Sequence, residues 1–535
     1  MNTLAGLRTP LCLGLRRDWL FWLCWMVGLA LLPAFTATSY DQLIPPGTDP
    51  SATIEPLRNS PAMLALLGPA FDLYSKGGFV MWRVGGFTSV FVGMAAGFGV
   101  IRATRAEEEA GRLELIRSGS LGRHAPLGAA IVLATIGSLG TGLLTGVLTV
   151  AVGLPATGSV AAGLAMASTG LVFTGIGAVV AQVFESARTA RYWTIGAIWG
   201  GMFVLRMMVD GAGPDAGISF ARWLIPLEWG MLIRPWADER WWVFLLSVAL
   251  FAVLVLLAFR LESTRDHGAG LTRTRPGRPS AAAWLAGPFG LAWRLQRGGL
   301  VGWSLGLLLG AVGTGSIMSQ MDQSIEANPE IGAMLEKMGG TSNVEMAFYI
   351  AMLDIMATVA GIMGATILHR LRAEEARGHA EALLATAVPR WRLALSHLAW
   401  AVVLPCLVFI GVGALLPLVQ AGSSGDYSAI GQYTRAAAAL TPGIVFVVGL
   451  AMLLIGWFPR LTGLVWAVLG WTMFATWFAV LFQVPEWLTK VQPWGYLAHL
   501  PRDAMDWPAF AVESVIGVAL LVAGLVGYRH RSIPA

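Results

Sequence analysis

Apolar runs of 18 residues or more recur along this 535-residue chain, and no other feature restricts its fold so strongly. A run of that length crosses the ~30 Å hydrocarbon core of a bilayer as a helix. Hydrophobic residues make up 56% of the sequence and charged residues 13%, and the mean hydropathy of +0.66 lies above the soluble range. No polar stretch between the runs reaches about 50 residues, so no water-soluble domain of ordinary size fits. The sequence therefore predicts an all-α polytopic membrane protein. Arg16 and Arg17 precede the first run, Trp19–Phe35, but no small-residue cleavage site follows, so this run is expected to stay as the first helix.

Runs near residues 19–36, 79–101, 127–154, 160–184, 192–209 and 241–259 give six transmembrane helices. Runs near 299–316, 346–368, 393–420, 438–458, 463–483 and 508–528 give six more, twelve in all. Residues 1–260 are read as the first six-span half, 261–290 as a cytoplasmic linker with the start of a second lead-in helix, and 291–535 as the second half. With the N-terminus cytoplasmic, the inner segments hold 25 of the 36 lysines and arginines. This positive-inside bias places both termini in the cytoplasm. The pI of 9.3 does not point to nucleic acid, because the arginines are scattered among loops and form no basic domain. Cys12, Cys24 and Cys406 show no Cys-x-x-Cys spacing, and the seven histidines no short-spaced metal motif, so no metal site is expected.

The halves repeat one another. AMLALLG (62–68) answers AMLEKMG (333–339), RAEEEAGRLE (105–114) answers RAEEARGHAE (372–381), and PLEWGMLIRPWAD (226–238) answers VQPWGYLAHLPRD (491–503). The offsets are 271, 267 and 265 residues, in one order. An even number of spans per half gives both halves one orientation, related by a pseudo-twofold axis along the membrane normal.

The charged decapeptides follow the second span of each half. If each is one helix turning about 100° per residue, Glu107, Gly111 and Glu114 share a face, as do Glu374, Gly378 and Glu381. Glu108 precedes Arg112 by four, and Glu375 precedes His379 by four, a spacing that supports an exposed helix. Solvated faces drift between duplicated halves, whereas Arg-Ala-Glu-Glu-x-x-Gly-x-x-Glu is kept at six of ten positions, which points to docking.

With this R-x-E-E-x-x-G-x-x-E segment, and Arg123 or Arg390 following at the start of the next span, the chain resembles the twelve-span type-two ABC exporter permeases grouped with polyketide-antibiotic and multidrug exporters. The resemblance covers essentially the whole chain. It implies a bacterial cell-membrane permease that moves hydrophobic or amphipathic compounds, such as antibiotics, drugs or lipids, out of the cell. It further implies two copies of a separate ABC ATPase, which would carry the ATP and Mg. The coupling residues would be Arg105, Glu107, Glu108, Gly111 and Glu114, with Arg372, Glu374, Glu375, Gly378 and Glu381 in the second half. The family's amphipathic lead-in helix would correspond to residues 5–18 and 285–298. Glu109-Ala110 becomes Ala376-Arg377, so two identical ATPase subunits would meet different surfaces.

No ATPase is written into this chain: its lysines, Lys76, Lys337 and Lys490, do not follow glycine as a phosphate-binding loop requires. No cofactor and no catalytic residue is expected. The rival reading is a proton-coupled secondary drug transporter, but Asp354 is the sole acidic residue well inside a span. A membrane enzyme would need clustered Asp, His or metal ligands; Asp503 and Asp506 are read instead as a polar turn before the last span.

Aromatic and methionine side chains crowd four spans: Phe87, Phe91, Met94 and Phe98; Trp199, Phe203 and Met207; Met352, Met356 and Met363; Trp466, Trp471, Met473 and Phe474. In the resembled family these spans meet centrally, so these side chains are candidates for a substrate pathway. GMAAG (93–97), GLLTG (142–146), GAIWG (196–200) and GLLLG (306–310) suit close helix approach in lipid. Of the charges inside spans, Arg206 and Asp210 are four apart and can pair locally. Arg83 and Asp354 lack such neighbours in sequence and are candidates for a contact across the central interface.

Overall fold

The computed structural model describes residues 3–43, 64, 67–117, 119, 121–211, 217–266, 268–272, 280–285, 287–327, 344–478 and 485–531. Among them all regular structure is helical, and eleven helices are long and apolar enough to cross a membrane. A shorter apolar helix, Leu464–Thr476, stands where the eleventh of twelve spans was expected; the far end of that run lies outside the described residues.

The chain divides into two compact units, Met1–Gly277 and Arg278–Ala535. Each repeats one packing scheme. The first span lies on the third: Arg8–Leu43 on Ala125–Ala151, and Pro288–Ala327 on Arg390–Ser424. The second lies on the fourth: Gly86–Ala103 on Ala156–Val183, and Val344–Ala376 on Thr441–Trp457. The fourth also carries the sixth, Trp242–Thr264 in one unit and Trp507–His530 in the other.

Lipid offers no partner to a hydroxyl, so the third span turns its own back on its carbonyls. Ser138, Thr141, Thr145 and Thr149 each donate to the carbonyl four residues earlier. Three of the four glycine pairs make close helix contacts: a Cβ on Gly142 would strike the Gly163 carbonyl, one on Gly93 would press on Phe173, and one on Gly310 would press on Met356. Gly196 and Gly306 face open space instead.

The separate lead-in helices expected at 5–18 and 285–298 are not there. Helices Arg8–Leu43 and Pro288–Ala327 run unbroken from those segments into the first span of each unit. Pro10 and Pro288 sit in the first turn, where proline is tolerated, and no proline follows before the span to stop either helix. The start of the 261–290 segment is also packed rather than loose, since Leu271 and Thr272 donate backbone hydrogen bonds to Gln182 and Val183 at the end of the fourth span.

Candidate functional site

Each decapeptide is broken in the middle. In the first unit a short helix Arg105–Glu109 follows Thr104, and a second, Arg112–Arg117, starts after Gly111. In the second unit the helix ends at Ala376, and His379–Leu384 starts after Gly378. Gly111 and Gly378 take φ of +69° and +74°, the left-handed region that glycine enters without steric cost. This corrects the single-helix reading. The turn resets the helical phase, so Glu107, Gly111 and Glu114 share no helix face, nor do Glu374, Gly378 and Glu381. The pairings shift with it: Arg112 bonds Glu107 at 2.8 and 2.6 Å, not Glu108, and His379 lies 2.9 Å from Glu374, not Glu375.

The second glutamate of each pair turns inward. Glu108 is buried and receives Arg265 through both oxygens, at 2.8 and 2.9 Å, the amide of Gly268 at 2.7 Å and Arg105 at 3.0 Å. Arg105, 1% exposed, also donates to the carbonyls of Ala181 and Ala269. In the second unit buried Glu375 receives Arg372 at 3.0 Å and Arg531 at 2.5 Å, and Arg531 reaches on to the Ile455 carbonyl. Arg265 and Arg531 each stand just past the end of the sixth or twelfth span. Arg123 and Arg390 close on the same ends, Arg123 on the carbonyls of Glu262 and Ser263, Arg390 on that of Arg531.

The first glutamates are mostly covered as well. Glu107 pairs with Arg17 at 2.7 Å and Glu374 with Arg370 at 2.5 Å. Outward exposure is left to the turns: Glu109, Gly111, Arg112 and Glu114 in the first unit, and Ala376, Arg377, Gly378, His379 and Glu381 in the second. The ten candidate coupling residues thus separate into a buried set of Arg105, Glu108, Glu374 and Glu375 and an exposed set of Gly111, Glu114, Gly378 and Glu381, with Glu107 and Arg372 between. Sequence reading missed Arg265 and Arg531. Their spacing of 266 residues, matching the repeat, was the available signal.

The charges within the spans gain partners from distant sequence. Arg206 pairs with Asp210 at 3.3 Å as expected, and also with Glu228 at 3.0 Å, while Arg222 approaches Asp210 at 3.2 Å. Glu228 is wholly buried, and that burial pushes its carboxyl up to about 7 even beside Arg206. Asp354 meets His499 at 3.3 Å, a bond that holds the imidazole above its ordinary value against the opposing effect of burial. Arg83 is exposed, with its guanidinium 5.8 Å from the Phe79 ring centroid. Arg83 and Asp354 belong to different units.

Several aromatic and methionine candidates pack into their own unit. Phe87 and Phe203 lie 6.1 Å apart, centroid to centroid, in a core with Met94 and Met207. Met363 is fully buried, and Met352 and Met356 are half-buried. Phe91 and Trp466 are exposed, Phe98 is half-buried, and Trp471 lies against Phe474 at 5.8 Å. The Trp199 side chain lies outside the described residues.

Residues 285–529 match the family described as the C-terminal domain of multidrug efflux system permease Rv1217c. Over 524 residues the sequence is 35% identical to the Multidrug efflux system permease protein Rv1217c of Mycobacterium tuberculosis (strain ATCC 25618 / H37Rv). The match takes in 97% of this chain and 94% of that protein.

Proposed function

Because the chain belongs to the multidrug efflux system permease family, we propose that it is the membrane-spanning subunit of an ATP-driven exporter, carrying hydrophobic or amphipathic compounds out of the cell. Two copies of a separate ABC ATPase would supply the energy and hold the ATP and Mg. The observation that carries this reading is the pair of exposed turns, Gly111–Glu114 and Gly378–Glu381, set at the same register after the second span of each half. Each turn projects from a buried network of ion pairs, so a partner pressing on it meets a supported surface. The positive-inside bias supports a topology in which both turns, and both termini, would lie on the cytoplasmic side of a bacterial cell membrane. On this reading an identical ATPase would find Glu109 and Glu114 beside one turn and Arg377 and Glu381 beside the other.

A substrate path on the second, fifth, eighth and eleventh spans would use the exposed candidates such as Phe91 and Trp466, since Phe87, Phe203 and Met363 pack inside their own units. The test is purification from the native host followed by reconstitution in lipid. An ATPase should copurify and its hydrolysis should rise with substrate, while the isolated chain should hydrolyse no ATP. ATP-independent efflux that collapses with the proton gradient would replace this reading with a secondary transporter.

A further inference from the structure

The buried half of each decapeptide is bound to the far end of its own unit. Arg265 grips Glu108 with a two-pronged fork, and Arg531 grips Glu375, in surroundings where the glutamate side chains are 3% and 1% exposed. Water and salt do little to loosen a pair so enclosed. The spans that these arginines terminate, Trp242–Thr264 and Trp507–His530, are the least buried of the described spanning helices. Each packs along the fourth span of its unit, and at the end of the twelfth span Gly524 and Gly527 lie close against Met452 and Trp457. At that end the polar clamp ties the decapeptide to the span. Arg123 and Arg390 reinforce it by donating to carbonyls that a helix C-terminus leaves without intrahelical partners.

The clamp also persists where its surroundings have diverged. Glu262, which meets His124 at 2.6 Å in the first unit, corresponds to Tyr528 in the second, and Glu109-Ala110 to Ala376-Arg377. A device serving only local charge balance would be free to change with its neighbours.

We propose that each decapeptide and the end of the sixth or twelfth span move as one body, with Arg265 and Arg531 as positioning residues that pass displacement of the exposed turn to those spans. This rests on the reading that the turns receive the force of an ATPase. It adds a second output: the lever acts on the last span of each half as well as on the second span from which it grows.

The test uses the full chain with its copurified partner, in a background with Cys12, Cys24 and Cys406 replaced by serine. Arg265→Ala and Arg531→Ala should keep the ATPase bound but lower efflux at least tenfold and abolish substrate stimulation of hydrolysis. Arg531→Lys, which retains one charged bond, should recover part of the loss. The Glu375→Cys/Arg531→Cys pair should lose efflux when reduced and regain it when the two thiols are joined by a short crosslinker. Wild-type efflux in the alanine variants would overturn the proposal, as would failure of the thiols to crosslink or a crosslink that leaves efflux lost. Should the alanine variants fail to fold, the crosslinked pair decides. If wild-type efflux needs no ATPase, the function proposed above falls, while the crosslink result still tells whether the joint is rigid.

Discussion

Gly111 and Gly378 show how one backbone angle overrides a side-chain pattern. A Cβ at either position would meet nothing within 4 Å, so these glycines serve φ rather than close approach. Replacing either by alanine should therefore cost about 1–2 kcal/mol, the penalty of a left-handed L-residue, with no clash added. Thermal unfolding of the purified protein would measure it, and an asparagine variant should be milder. The helical phase read from RAEEEAGRLE was wrong because it ran through a glycine that follows a short charged helix, and that position is itself a helix-stop signal. His499 offers a test by pH. Its folded value is raised by Asp354, so its stabilising contribution is complete below the unfolded value near 6.5 and fades as pH rises through the folded one. The unfolding temperature should fall across that window in the parent protein and stay flatter in His499→Gln.

The elements themselves were written plainly in the sequence, because each apolar run is long enough to admit one interpretation in lipid. Their ends were not. Residues 5–18 were expected as a separate amphipathic helix, yet Arg8–Leu43 continues for 36 residues, roughly 54 Å at 1.5 Å per residue, well beyond the hydrocarbon core. Glycine motifs were equally ambiguous, since spacing alone does not tell which pair faces a neighbour. Gly163 lies against the Gly142 carbonyl, so Gly163→Val should force the third and fourth spans apart at about 1–3 kcal/mol. Gly306 has open space around its Cβ position, and Gly306→Ala should change stability by no more than about 0.5 kcal/mol. Membrane abundance and detergent melting of the two variants would check the contrast.

At the scale of the whole molecule, the duplication was legible from three landmarks in order, and both units carry the same neighbour scheme. What local spacing does not show are partners brought together across long separations: Glu228 to Arg206 and His499 to Asp354. If both exposed turns dock an ATPase, Glu114→Lys and Glu381→Lys should each reduce efflux several-fold while membrane abundance stays near normal, because exposed substitutions shift stability by only about 0.5 kcal/mol. The losses should differ in size, given Arg377 beside one turn and Glu109 beside the other; wild-type efflux in both would leave the turns as mere solvated corners. The quartet of buried Arg206, Asp210 and Glu228 with half-buried Arg222 has a wider consequence. In the repeat alignment Glu228 faces Pro493, so the quartet exists once. A homodimer encodes each residue once and displays it twice, so each mutation must be tolerated by both subunits together. Fusion into one chain lifts that rule, so selection can install an expensive charged site in one half and leave the other free to vary.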